Sequence, residues 1–404
     1  MFLCLGYYLY VDKTILIMAY LHKFETVSAF TEARTENYRE PWVSAIVENR
    51  RVDYNKTKEE KLLETPLTFE ILSDGQIVWA KNSNNVTSRT IEYRKNGGEW
   101  TQITSANEYT DTPPTISVAS GDVIEFKGNN DYYGRANSTV GSNHLSSNAK
   151  CKVKGNIMSL INSTNFASLT EFPEESTSNF CGFFRESAGL EDASQLVLPA
   201  KTATRGCYAD MFFSCTTLTQ GPELPATTLV GRDCYEQMFK CCTSLITPPE
   251  LPSTSLALSC YYGMFVGCTS LTTAPELPAT TLTENCYYEM FSGCTSLINA
   301  PELPSTSLAL NCYYGMFKGC TSLTTAPELP ATTLAESCYF GMFSGCTNLN
   351  YIKCLATDIS ATSCTVNWVS GVASTGTFVK NSEMTGWSTG QSGIPSGWSV
   401  QNAS

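Results

Sequence analysis

The sequence predicts a β-rich α+β protein, a solenoid of short repeated coils preceded by a small β-sandwich-like domain. Two observations carry this. From Cys207 the chain repeats with a period of 26 residues, the first unit alone having 27, in five near-identical copies. A period of about 20–29 residues with recurring leucine gives one solenoid coil per repeat, because a single coil cannot bury its own apolar face. Upstream, residues 66–154 alternate apolar and polar in short runs divided by turn signals, the pattern of a small all-β domain.

Residues 1–65 read as an N-terminal segment, an assembly or anchoring region. The opening MFLCLGYYLYVDKTILIMAYLHK is apolar but lacks a basic start, is interrupted by Asp12 and Lys13, and shows no small-residue cleavage site. It predicts neither an export signal nor a membrane span, and Met18 is an alternative start. VSAFTEARTENY and NKTKEEKLLE have helix-forming composition, with Pro41-Trp42-Val43 breaking the pattern between them. The run Lys56–Lys61 reads as a solvated face.

In residues 66–154, Leu67, Phe69 and Ile71 alternate, as do Ile91 and Tyr93. Asn96-Gly97 predicts a hairpin, since both residues tolerate positive φ. Ile116 with Val118, then Val123–Phe126, then CKVKG from Cys151 supply further strands. No Cys…Trp…Cys framework of the antibody type is present.

The repeat is assigned to residues 155–363. In the coil Cys260–Asn285, Cys260, Met264 and Cys268 recur at i, i+4 and i+8, which predicts one face of a short helix ended by Gly267. Leu271–Ala274 predicts a strand that Pro275 and Pro278 keep short, and Leu277 and Leu282 should turn inward. Leu245, Leu271, Leu297 and Leu323 should stack as one internal column. Two columns of cysteines accompany them: Cys181, Cys207, Cys234, Cys260, Cys286, Cys312, Cys338 and Cys364, and Cys215, Cys242, Cys268, Cys294, Cys320 and Cys346. Small apolar-flanked thiols at fixed spacing read as reduced core residues, with disulfides between adjacent coils the alternative. Residues 364–404 leave the repeat and hold Trp368, Trp387 and Trp398, which suits a C-terminal cap, or else an aromatic binding tip.

Function must sit on the outward positions. One row is acidic: Glu223, Glu250, Glu276, Glu302 and Glu328, each within P-E-L-P. Residues 207–363 hold 12 acidic and 4 basic residues, so −8 of the net −12 lies there. A carboxylate row suits a cationic or basic partner, although like-charge rows are commonly solvated edges. A second row is aromatic: Tyr261/Tyr262, Tyr287/Tyr288 and Tyr313/Tyr314. One member of each pair should pack and the other face a protein or glycan partner.

The units MF-x-G-C-T-S-L followed by a short strand and L-P, as in Met264–Leu271 and Leu277-Pro278, resemble BspA-like leucine-rich repeats. The resemblance covers roughly residues 155–363; the cysteine that opens each coil and the P-E-L-P step depart from the family pattern. LHKFETVSAF…YREPWVSAIVENRRVDYNK is also similar to N-termini of repeat proteins from gut anaerobes and their phages. The resemblance implies a leucine-rich-repeat solenoid and an adhesion or recognition protein displayed on a phage particle or bacterial surface, with no catalytic residues to carry over. The expected partner is a protein or cell-surface glycan, or other virion proteins. The expected location is a virion or the extracellular surface.

Composition narrows the alternatives. A net charge of −12 repels phosphate backbones and argues against nucleic acid. Only two histidines, His22 and His144, are present, which argues against histidine triads and histidine-rich metal sites. No cofactor or metal is expected. No G-x-S-x-G, P-loop or HExxH motif occurs. His144 with Cys151 is the one conceivable nucleophile pair, and with no third group evident the spacing reads as coincidence. The expectation is a non-enzyme. The competing reading is a purely structural fibre or decoration protein.

Overall fold

The computed structural model describes residues 56–135, 141–173 and 176–403. The chain divides into a unit over residues 1–61 and a second over residues 62–404. The helix expected over VSAFTEARTENY and the reading of the apolar N-terminus lie outside the described residues. Helix α1 (Lys58–Glu64) is opened by a capping box: Thr57 N–H donates to the Glu60 carboxylate at 2.7 Å, and Glu60 N–H donates to the Thr57 hydroxyl at 3.1 Å. It buries none of its residues, as a solvated KEEK run would.

Nine strands follow: β1 (Leu67–Ile71), β2 (Gly75–Lys81), β3 (Thr90–Lys95), β4 (Thr101–Thr104), β5 (Ala106–Asn107), β6 (Thr115–Val118), β7 (Val123–Gly128), β8 (Asn143–Ser147) and β9 (Cys151–Asn156). Asn96 and Gly97 both take positive φ, 53° and 71°, at the turn between β3 and β4. One sheet holds β9, β1, β7, β3 and β4 in that order, all antiparallel; β2 pairs with β6, β8 and β5 in another. β9 also pairs in parallel with β10 (Leu190–Val197), so the larger sheet runs on into the first solenoid rung. One apolar core extends from Leu67 to Trp398.

The repeats form a β-rich solenoid. Rungs align through parallel pairs such as Asp192 with Gln220, Gln220 with Thr247, and Thr273 with Asn299. The last three rungs widen into β13 (Tyr351–Cys354), β14 (Thr377–Lys380) and β15 (Ser399–Asn402), all parallel. A second row starts with the parallel pair β11 (Thr202–Ala203) and β12 (Thr228–Leu229), continued by single bridges through Ser255, Thr281 and Ser307. The ladders are short because prolines such as Pro275 and Pro278, which recur in most coils, donate no hydrogen bond. Leu245, Leu271, Leu297 and Leu323 are completely buried, and Leu277 and Leu282 also turn inward.

The expected helix over Cys260–Cys268 is absent. That segment is instead a ribbon of consecutive turns. Tyr262, Met264, Val266 and Cys268 donate their amides back three residues, while Tyr261, Gly263, Phe265 and Gly267 donate to carbonyls of the next coil at 2.8–3.1 Å. Every fourth residue has positive φ: Ser259 (53°), Gly263 (57°) and Gly267 (73°). An α-helix would spend all its amides internally and leave nothing to join the coils. Spacing of i, i+4 and i+8 fits either form over so short a stretch, so periodicity was blind to the difference. The four-residue repeat does not drift around an axis, and therefore buries Cys260, Tyr261, Met264, Phe265 and Cys268 together.

This register corrects one cysteine column. Phe180 N–H bonds the Cys207 carbonyl where Tyr208 N–H bonds that of Cys234, which sets Phe180 against Tyr208 and Cys181 against Ala209. Cys181 is buried but stands two residues out of line with Cys207. All described cysteines are free. In the second column the thiols hydrogen-bond backward: Cys268 Sγ donates to the Phe239 carbonyl and Cys294 Sγ to that of Phe265, each at 3.1 Å. Burial pushes the Cys286, Cys338 and Cys346 thiols up to about 12 and keeps them protonated.

Two aromatic stacks run the length of the coil interior. One passes from Phe180 through Tyr208, Tyr235, Tyr261, Tyr287, Tyr313 and Tyr339 to Trp368. The other passes from Phe184 to Phe343 with centroids 5.4–5.8 Å apart. Trp387 stacks on Trp368 at 5.5 Å, and the Trp368 and Trp398 indoles donate to the Gly393 and Ala373 carbonyls. These rings are spent in packing rather than displayed.

Candidate functional site

A ribbon of exact four-residue period sends two residues in and two out, in rows parallel to the stacking direction. The outward rows are set by this geometry. The first holds Glu236, Tyr262, Tyr288, Tyr314, Phe340 and Val366, with Ala209 at the equivalent position of the preceding coil but buried, and the second holds Asp210, Gln237, Gly263, Glu289, Gly315, Gly341 and Asn367.

The paired tyrosines divide as their positions require. Tyr261, Tyr287 and Tyr313 are at most 2 % exposed and belong to the interior stack, so they contact no partner. Tyr262, Tyr288 and Tyr314 are half-buried and, with Phe340, stack at 4.6, 4.4 and 4.6 Å, within 8° of parallel. Desolvation, with Glu289 and Glu236 nearby, raises the Tyr262 phenol above its ordinary value; desolvation and the neighbouring Tyr314 do the same for Tyr288. Rings stacked this closely cover one another's faces. A partner meets their edges and hydroxyls, not the open π-faces that a sugar ring packs against.

Glu223, Glu250, Glu276, Glu302 and Glu328 are all exposed. Pro275 and Leu277 on either side of Glu276 are buried, which fixes the carboxylate outward. Among the described residues Glu328 alone of the five has an ion-pair partner, Lys353, at 2.9 Å. At the other end of the row a groove of about 430 Å³ lies across the first two P-E-L-P steps. Its walls are Pro222, Pro225, Pro248, Pro249 and Pro252, and its polar groups are Ser194, Gln220, Glu223, Thr247 and Glu250. Ser194 enters it because β10 bulges between Asp192 and Gln195, breaking register with β9.

Sequence reasoning did not single out this groove. Pro248 in Thr247-Pro248-Pro249, where later coils have alanine (Ala274, Ala300, Ala326), was the available signal. A second omission is a charged cluster on the ribbon's outer side. Phe213 lies between Arg185, 5.2 Å from its ring centre, and Lys240, 5.8 Å away. Beside them Asp210 is pushed up to about 7, first by desolvation and then by Glu236, against the pull of Arg185 and Lys240. Its Oδ1 is buried without a hydrogen-bond partner.

His144 and Cys151 do not form a pair. His144 lies on β8, in the sheet built around β2, with Nε2 3.3 Å from Glu108 Oε2; Cys151 opens β9 in the other sheet. Burial pushes the Cys151 thiol up to about 12, where it is no nucleophile at neutral pH. The described residues contain no group of three or more His, Cys, Asp or Glu able to hold a metal, and no helix long and apolar enough to cross a membrane. No protein-family model, curated protein or solved structure matches the chain.

Proposed function

We propose that the protein is a non-catalytic recognition protein, a BspA-like leucine-rich-repeat solenoid displayed on a phage particle or bacterial surface, binding a protein or glycan through its outward rows. The β-sandwich-like domain over residues 66–154 acts as its spacer. The supporting observation is the division of labour along each coil. The inward columns of Cys, Met, Phe, Tyr and Leu are consumed by packing, whereas Glu, Tyr and Thr recur outward in register on successive coils. Such rows supply hydrogen bonds and charge at a fixed spacing, without a proton-transfer pair. The half-exposed stack from Tyr262 to Phe340 offers phenol edges to a protein surface or to sugar hydroxyls.

The test uses the full chain, fluorescently labelled, on a panel of intact gut bacteria. A Tyr262→Phe/Tyr288→Phe/Tyr314→Phe variant removes three hydroxyls and keeps the stack; a Glu276→Gln/Glu302→Gln variant removes two exposed charges. Weaker cell binding by either, with unchanged thermal unfolding, is the expected result. If both bind as well as the unmodified protein, the outward rows are not the recognition surface.

A further inference from the structure

We infer that the groove across the first two P-E-L-P steps is a seat for a lysine or arginine side chain on an extended segment of a partner protein. This rests on the recognition reading and names the chemistry of one site within it. The groove is built by two features of the first coils: the bulge of β10 that brings in Ser194, and the extra proline, Pro248, which the later coils replace with Ala274, Ala300 and Ala326. Its carboxylates, Glu223 and Glu250, stand on successive rungs, about 4.8 Å apart along the stack. Among the described residues neither has a cationic partner. Two like charges at that spacing repel, and a cation between them relieves the repulsion while gaining both contacts.

The molecule supplies its own example of the interaction. At the far end of the same row, Lys353 reaches Glu328 with Nζ 2.9 Å from Oε2. A P-E-L-P glutamate therefore presents its carboxylate in the geometry that an ammonium on a neighbouring extended strand requires. At the groove the next rung carries Glu250 where the rung after Glu328 carries Lys353, so Glu223 faces a second carboxylate and no ammonium. Gln220, Thr247 and Ser194 carry oxygens that can accept the remaining N–H groups of an ammonium or guanidinium. The proline walls have no N–H to offer an anion, and their rigid rings suit the methylene stem of a long cationic side chain. The groove is open along one side, so the partner's backbone remains outside; this favours a side chain of a chain segment over an enclosed free amine.

The probe is a fluorescein-labelled Gly-Lys-Gly-Lys-Gly peptide, read by anisotropy on the full chain at 50 mM salt, with the acetyl-lysine peptide as neutral control. Binding that weakens as salt rises is expected, reduced about tenfold or more in Glu223→Gln/Glu250→Gln and lost with the acetylated peptide. Glu284→Gln/Glu336→Gln makes the same change in net charge at exposed positions away from the groove and should leave binding within about twofold. Putrescine should compete only weakly. Equal loss in both double variants, equal binding of the acetylated peptide, putrescine competing as well as the lysine peptide, or no binding at millimolar peptide would each overturn the proposal. If cell attachment depends on the outward rows but the peptide does not bind, this inference falls by itself. If the peptide binds but no row variant alters attachment, the wider recognition reading falls and the cation seat stands.

Discussion

Asp210→Asn should raise stability at pH 8 and leave it almost unchanged at pH 4. Among the described residues Asp210 is the one carboxyl pushed up to about 7, and one of its oxygens is buried with no hydrogen-bond partner. A rise from 3.8 to about 7 corresponds to ~4 kcal/mol at about 1.4 kcal/mol per unit. Because the residue is half-buried and solvent screens part of the effect, about 2–4 kcal/mol is the working range. The sign follows from linkage. Below pH ~4 both folded and unfolded chains hold the proton, and no penalty exists. Between about 4 and 7 the unfolded chain ionises while the folded one keeps its proton, so stability falls as pH rises; above 7 the penalty is complete. Asparagine removes the titration and tolerates the positive φ of 54°. The protein already places Asn367 at the equivalent ribbon position, with φ 53°. Urea unfolding of both proteins at pH 4, 6 and 8 isolates the effect as a difference, since other titrating groups are shared. A difference that is flat with pH, or an asparagine variant less stable at pH 8, would refute the reasoning.

Native-state alkylation with iodoacetamide should modify Cys241 well ahead of every other described cysteine, because Cys241 alone among them is not buried; rapid labelling of Cys260 or Cys268, read by peptide mass spectrometry, would contradict the packed thiol columns. Gly341→Asn should cost less than about 0.5 kcal/mol, whereas Gly341→Val should cost about 1–2 kcal/mol, since the position has φ 59° with open space around it and β-branched residues avoid that conformation. Comparable thermal unfolding of the two Gly341 variants would argue against the four-residue ribbon.

Much of the solenoid was legible because its signal is repetition. The positions of Leu271, Met264 and Cys268 recur five times over, and any residue that recurs so faithfully among apolar neighbours is buried. The choice between a helix and a turn ribbon was not legible, because it depends on where alternate amides bond. That is decided by the next coil, 25 residues away, and leaves no mark on local periodicity. The positive-φ positions did leave a mark in retrospect: Gly263, Gly267, Asn285, Gly293, Asn311, Gly315 and Gly319 fall four residues apart or open a coil, a spacing a helix has no use for. The misplacement of Cys181 has a related cause. Identity of residue type does not guarantee equivalence of position, and the first coil is two residues out of step there.

The same ribbon geometry decides how the candidate surface can work. In an α-helix, side chains four residues apart rotate by about 40° relative to one another, so rows on stacked helices fan out. Here the inward and outward directions are kept along the whole ribbon, and tyrosines on adjacent coils face the same way. The consequence is the 4.4–4.6 Å stack of Tyr262, Tyr288, Tyr314 and Phe340, tighter than the interior tyrosine stack from Tyr208 to Tyr339 at 5.7–6.2 Å. It is bounded by Glu236 on one side and Val366 on the other, so it spans four coils and no more. A partner engaging it reads a strip of three phenol groups at one-coil spacing. The five exposed glutamates present a second strip with the same period on another part of each coil. Both strips repeat with the backbone, so a deletion of one whole coil shortens each by one member and preserves the spacing of the rest. Selectivity for one partner therefore has to come from places where the repeat is broken, which are the Ser194 bulge, the Pro248 substitution and the Arg185–Phe213–Lys240 cluster at the first coils.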